Sequence, residues 1–277
     1  TGMTLQNCII KNNEVTDGDG GGIYFNNGSY DSSEYKITGG EISCNKIEMT
    51  NSIRTYSGGG LAIANMQIKV VIDSCTIERN TIEGVSGKTP KGAGLWLGNG
   101  AQTTIKGTSR IKDNKAHVRG NSANLIGTGG GIQIDGGTLT VQGSTVISGN
   151  GAKDGGGIYA QNNTTVDAEI TLTNTEINSC VAEENGGGVY VEDGNLTLDN
   201  ATIGGASASD GNKAKNGGGI YLRGSSTTGE MTGGKVSYNK ASEDGGGIFI
   251  ESSGLFKMKS GEISGNTGDK GGGVGIV

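Results

Sequence analysis

Proline, histidine and tryptophan occur once each in these 277 residues, and aromatic side chains make up only 4% of them. A hydrophobic share of 32% is lean for one globular core. No apolar run approaches the roughly 20 residues of a helical membrane span, so no membrane contact is expected. Cationic residues form no stripe and the formal charge is -6, so the footprint of a nucleic-acid binder is missing. The lone His117 lies in an insertion without an acidic neighbour to orient it, which leaves little for histidine-dependent catalysis. No signal peptide opens the chain. Thr1 to Leu5 already match the middle of a repeat, however, and Gly273 to Val277 stop inside one. The chain reads as a piece of a longer protein, and missing targeting signals carry no information.

Glycine, by contrast, supplies 56 residues, without the G-x-y period of collagen. Most of it falls in one phrase that occurs nine times: Gly20 to Phe25, Gly58 to Leu61, Gly92 to Leu95, Gly129 to Ile132, Gly155 to Ile158, Gly186 to Val189, Gly217 to Ile220, Gly245 to Ile248 and Gly271 to Val274. In the second half the spacing narrows to 26–31 residues, which suits one turn of a solenoid. A second phrase, apolar-x-small-small-x-Ile/Val-x-x-Asn, lies between the boxes and is clearest at Ile37 to Asn45, Met231 to Asn239 and Met258 to Asn266. Two copies, Leu172 to Cys180 and Leu198 to Ala206, lack the final Asn.

The apolar residues alternate with period two, as in Leu95-Trp96-Leu97, and are bounded by Gly, Asn and Ser clusters. Three short strands per turn are expected, each beside its copy in the next turn. At ~4.8 Å per strand, nine such coils make a rod on the order of 43 Å long. The fold class is all-β, a single-stranded parallel β-helix running through residues 1–277 as one domain. The glycines fit tight corners. Asn13, Asn45, Asn80, Asn114, Asn150, Asn239 and Asn266 fit a second corner, where stacked amides would form a ladder.

These Gly-Gly-Gly-Ile and Ile-x-x-Asn phrases resemble the Gly-Gly-Ala-Ile and Phe-x-x-Asn repeats of the polymorphic outer-membrane proteins, which are autotransporter-type adhesin passengers. Related repeats occur in large bacterial and archaeal surface proteins. The resemblance extends over essentially the whole chain, with Ile or Val in place of the family's Phe and mostly Gly in place of its middle Ala. It implies a right-handed, pectate-lyase-like β-helix, export to the cell surface and adhesion.

The residue after each box's first apolar position should point outward, giving the column Tyr24, Ala62, Trp96, Gln133, Tyr159, Tyr190, Tyr221, Phe249 and Gly275. Exposed rings stack sugar faces or anchor partners. Beside them runs a polar column of Asn26, Asp135, Gln161, Glu192, Arg223 and Glu251. The candidate ligand strip is therefore Trp96, Tyr159, Tyr190, Tyr221 and Phe249 with Glu192, Arg223 and Glu251, for a glycan or a cell-surface protein. The alternative is that the rings only stack on one another. A second candidate is a lobe on turns two to four, where Lys46 to Ser57, Thr81 to Lys91 and Lys115 to Thr128 are long; Ser207 to Asn216 swells at the same point of the repeat, while Asn26 to Lys36 and Gln161 to Ile170 lie on another edge.

A carbohydrate-active enzyme is the runner-up, since β-helices host lyases and glycosidases. Arg110-Ile111-Lys112 resembles a tripeptide of the β-helix polygalacturonases, but their paired Asp and Gly-His-Gly segments are missing. Glu192 and Glu251 flank Arg223 as a charge ladder rather than as a hydrolytic pair. Asp17-Gly18-Asp19-Gly20 resembles the start of a calcium loop without its later ligand, so no metal and no cofactor is expected. Cys8 and Cys75 share a repeat position two turns apart, about 9.6 Å, too far for a disulfide. Cys44 and Cys180 fall elsewhere, and all four should be reduced, buried fillers. The whole reads as a non-catalytic, surface-exposed adhesin passenger or stalk, with a plain structural spacer as the third reading. Cut ends favour end-to-end self-association.

Overall fold

The computed structural model describes residues 2–26, 34–50, 54–64, 68–251 and 253–277; the expected connection tips at 27–33 and 51–53 lie outside them. No helix occurs among the described residues. The first circuit of the chain lays down β1 (Thr4–Gln6), β2 (Ile9–Lys11), β3 (Glu14–Thr16) and β4 (Ile23–Phe25). Each strand then pairs in parallel with its counterpart one circuit later: Leu5 with Ile37, Ile10 with Ile42, Val15 with Ile47, and Ile23 with Leu61. Four parallel sheets result. The expectation of three strands per turn is corrected to four, because the strand after the Asn corner holds only two to four residues, too few to show a period. The nine-coil reading is trimmed as well. Eight circuits have all four strands, the ninth lacks the third, and seven lie between neighbours on both sides.

Like residues stack on like. Ile10, Ile42, Ile77, Ile111, Ile147, Ile177, Ile203, Val236 and Ile263 form one column of the second sheet. They meet the Leu, Ile and Val of the first and fourth sheets in a single continuous core. Phe25, Tyr35 and Phe256 close it near the two ends. The third sheet joins this core differently. Its backbone lies directly against the glycine box, with no side chain between. A Cβ on Gly156 would fall 2.6 Å from the carbonyl oxygens of both Val181 and Gly187, so the middle glycine is demanded by contact rather than by dihedral angle. The first glycine of each box, such as Gly155 at φ +63°, makes the corner. On turns two to four the third-sheet side chains Ile47, Ile82 and Ala116 instead face a small separate cluster with Met49, Tyr56 and Ala93 under the lobe.

Between the second sheet and the glycine box runs a column of buried amides. Asn114 shows the pattern: its Oδ1 accepts from the Asn80 main-chain N–H and Nδ2, and its own Nδ2 donates to Ile77 O and Asn150 Oδ1, all at 2.9–3.0 Å. The same bonds link Asn13 to Asn45, Asn45 to Asn80, and Asn239 to Asn266. Of the two copies read as lacking the Asn, one does lack it and the other does not. Turn six has Cys180, whose Sγ receives Asn150 Nδ2 at 3.8 Å. Turn seven does supply an Asn: Asn212 accepts from Cys180 N–H and donates to Ile177 O and Asn239 Oδ1. The swelling there precedes the Asn corner instead of following it, as the contact of Ser179 N–H with Asp210 O shows. Cys75 and Cys180 are buried, and burial pushes both thiols up to about 12. Cys8 and Cys44 are exposed, against expectation, because Cys8 sits on the terminal turn and Cys44 on an outward corner at φ +53°.

A second polar ladder precedes the boxes. Asp154 Oδ1 accepts from Asn185 N–H and Nδ2, and Asn185 Oδ1 accepts from Asn216. Burial raises Asp154 above the usual carboxylate range, offset in part by the Asn185 bonds. A raised folded-state value means stability that is complete below the ordinary Asp value and lost as pH rises through the folded one. Asp154→Asn should therefore stabilise the fold at neutral pH, with a gain that disappears as pH falls below about 4, in paired denaturant melts. Asn114→Ala strands Ile77 O and the Asn80 donors in the interior, and should cost about 2–4 kcal/mol in the same melts.

Candidate functional site

The outward column of the fourth sheet stacks in register, Tyr159 on Tyr190, Tyr190 on Tyr221 and Tyr221 on Phe249. Neighbouring tyrosine ring centroids lie 4.7 Å apart, edge to face. These four rings form a cluster of their own outside the tube. They are not open platforms: Tyr190 is 3% exposed and Phe249 6%. Each ring face is taken by the ring above or below, and each Cβ rests on the first glycine of its own box, 2.6 Å from a Cβ built on Gly155 in the case of Tyr159. The hydroxyl tips are capped, Tyr159 donating to Glu192 and Tyr221 to Glu251. Burial first, and those carboxylates second, hold both phenols well above their ordinary range. Arg223 lies between the two carboxylates, 3.6 Å from Glu192 and 3.9 Å from Glu251. Seven of the eight expected strip residues, all but Trp96, thus belong to the seam; of the aromatic residues in that column only Tyr24, 47% exposed, and Trp96, partly exposed, keep open surface.

At Trp96 the seam gives way to a groove of about 630 Å³, lined by Lys91, Trp96, Asn99, Asp135, Gln161 and the turn 162–164, with Asp193 at its edge. Its floor is the Asp135 carboxylate, 8% exposed. Lys91 Nζ donates to it at 2.7 Å and Trp96 Nε1 at 2.8 Å, both to Oδ2. Gln133 Nε2 at 2.7 Å and Gln161 Nε2 at 2.9 Å donate to Oδ1. Gln133 is fully buried, and its Oε1 has no hydrogen-bond partner among the described residues. The indole lies over Gly98, where a Cβ would come within 2.3 Å of its six-membered ring. Trp96 is therefore fixed at both its nitrogen and its benzo edge.

Three separate segments converge here. Lys91 ends the long connection of turn three and is tied to the lobe, its N–H donating to Tyr56 O. Trp96, Asp135 and Gln161 come from consecutive strands of the fourth sheet, Leu95–Gly98, Ile132–Asp135 and Ile158–Gln161. The wall is the long connection after Gln161. Asn163 Oδ1 caps the N–H groups of Thr165 and Val166, and its Nδ2 donates to Asp135 O at 3.1 Å. Sequence reasoning placed Asp135 and Gln161 in the outward polar column, but it missed Lys91, Asn99, Asn162, Asn163, Thr164 and Asp193. The available signal was positional: the only Trp stands one turn from a carboxylate in the adjoining column and one corner from a lysine.

The other candidates lie apart. Lys112 pairs with Glu78 at 2.7 Å on the second sheet, and His117 is buried with Nδ1 against Val118 O on the third. The lobe's long strand pair, Lys115–Val118 with Asn121–Leu125, is an antiparallel extension of the third sheet. Asp19 receives Ser57 N–H and Asp17 receives Thr50 N–H, both as corner bonds.

Residues 144–161 match the family model of the Chlamydia polymorphic membrane protein repeat. They run from the second sheet through Asn150 and the glycine box to Tyr159 and Gln161, one repeat's worth of ladder, corner and seam. No curated protein and no solved structure matches the chain. The chain thus resembles the repeats of that family in both phrase and coil.

If the seam is held by ring contact, Tyr190→Ala should destabilise the fold by about 3–5 kcal/mol. Tyr190→Phe should lose under about 1 kcal/mol, because the Tyr190 hydroxyl meets the half-exposed Arg223 guanidinium and not a carboxylate. Chemical denaturation of the two variants checks both.

Proposed function

We propose that this chain is a surface-displayed β-helical binding segment of the adhesin-passenger type, non-catalytic, with the Trp96–Asp135 groove as its contact site for a glycan or a cell-surface protein. The carrying observation is the groove itself: an aromatic ring, a lysine and a buried carboxylate fixed by four hydrogen bonds where the seam, the lobe and the connection after Gln161 meet. Display at the cell surface rests on the likeness to the polymorphic membrane protein repeat at residues 144–161. A passive role for Asp135 is favoured over acid–base chemistry because four donors already occupy its oxygens, leaving no face for a water or a leaving group.

Beads coated with the chain should adhere to a panel of animal and microbial cells, and soluble chain should compete. Thr164→Phe, which fills the groove from an exposed turn, should reduce adhesion by about tenfold. Equal adhesion by that variant would move the site to the lobe, and equal adhesion by beads carrying unrelated β-helix turns would leave the chain a spacer.

A further inference from the structure

The groove's chemistry narrows its occupant, and the narrowing rests on the reading of the groove as a contact site. We infer that it takes a neutral, hydroxyl-rich sugar ring laid against Trp96, rather than an anion, a cation or a peptide side chain.

Charge argues first. The one ammonium in the groove, Lys91, is bound to Asp135 at 2.7 Å, and the remaining charged group at the edge is a second carboxylate, Asp193. An anionic ligand such as a uronate, sulfate or phosphate would meet a compensated lysine and an opposing Asp193. A cation would meet one partly exposed carboxylate already accepting from Ser226 Oγ at 2.9 Å, and no group of three metal-type ligands exists among the described residues.

Hydrogen-bonding capacity argues next. Asn162 Oδ1 accepts Ala168 N–H, which turns its amide NH2 away from the main chain and leaves it without a protein partner among the described residues. Asn99 is the mirror case: its Nδ2 donates to Ala64 O at 3.0 Å and its Oδ1 is unpartnered among the described residues. The Thr164 hydroxyl is likewise open. The rim therefore offers a donor, an acceptor and a group that is both. Hydroxyls, which donate and accept, satisfy such a mixed set; a purely donating or accepting ligand does not. Main-chain or side-chain bonds already orient both amides, so little ordering remains to oppose binding.

Shape completes the argument. The volume of about 630 Å³ lies within the roughly 300–1,000 Å³ of small-molecule sites. The only tryptophan is held by the contact of its six-membered ring with Gly98 and by the bond of its Nε1 to Asp135, so its ring presents a fixed apolar plane beside polar groups. The apolar face and hydroxylated edge of a pyranose match that pair of surfaces.

Because Trp96 is the only tryptophan, the chain reports on its own groove. It is titrated with neutral pentasaccharides of glucose, N-acetylglucosamine, xylose and mannose, and with pentagalacturonate and an acidic pentapeptide, following intrinsic fluorescence. At least one neutral sugar should give a saturable shift below about 5 mM, with the charged probes weaker by about tenfold or more. Calorimetry with Trp96→Ala and with Thr164→Phe, both checked for unchanged circular dichroism, should show that affinity reduced by about tenfold or more. Silence from every neutral sugar, tighter binding of pentagalacturonate or the peptide, or binding that survives both variants would overturn the inference. Bead adhesion that persists while the sugars are silent would refute the sugar and leave the adhesin reading standing; loss of both would refute the two together.

Discussion

Everything in this molecule depends on lockstep between turns, and the contact that enforces it is the approach of the third-sheet backbone to the glycine box. Where Gly156 faces Val181 O there is no room for a methyl group, so main chain rests on main chain. The buried Asn then fills the remaining gap, bonding the turn before and the turn after at once. A slip of one residue would drive a side chain into a carbonyl at every box and break every amide bond in the column. Glycine, which normally weakens strands, here sets their register.

Much of this was legible in the sequence because periodic stacking is a one-dimensional code. Ninefold recurrence of the glycine box and sevenfold recurrence of Ile/Val-x-x-Asn specified parallel neighbours, the vertical pairing of Tyr190 with Tyr221, and the Asn column. What escaped was short or displaced. The third strand, as brief as Lys213–Ala214, carries too few residues to show a period. Asn212 was hidden because a six-residue detour stands before it, so that counting from Ile203 lands on Ala206. The rings were correctly placed outside the tube, but outward did not mean exposed. At one ring per turn, a Tyr is large enough to bury its neighbours.

The groove was the least legible feature, for a physical reason. Lys91, Trp96, Asp135 and Asn163 belong to different turns and different corners, and only the winding brings them together. The repeat predicts where each stands along the axis but not how far a lysine or an asparagine reaches across it. A functional surface on a solenoid therefore emerges where the repeat departs from itself: Trp96 and Gln133 interrupt the tyrosine column, and two long connections close around the interruption.

The Asn column also has a seam of its own. Between Asn150 and Asn212 the strut is Cys180, whose sulfur receives one long contact at 3.8 Å in place of an amide pair. The two runs of amides, Asn13 to Asn150 and Asn212 to Asn266, are thereby joined through Cys180, by long sulfur contacts with Asn150 and Ile147 O on one side and by the Asn212 bonds to Cys180 N–H and Ile177 O on the other. In a rod held at one end and pulled at the other, load concentrates at the joint with the fewest cross-braces. Within the Asn column turn six is thus the least braced joint, and the load passed over there falls on the Tyr159–Glu192 and Asp154–Asn185 bonds that tie turn six to turn five at the other corners.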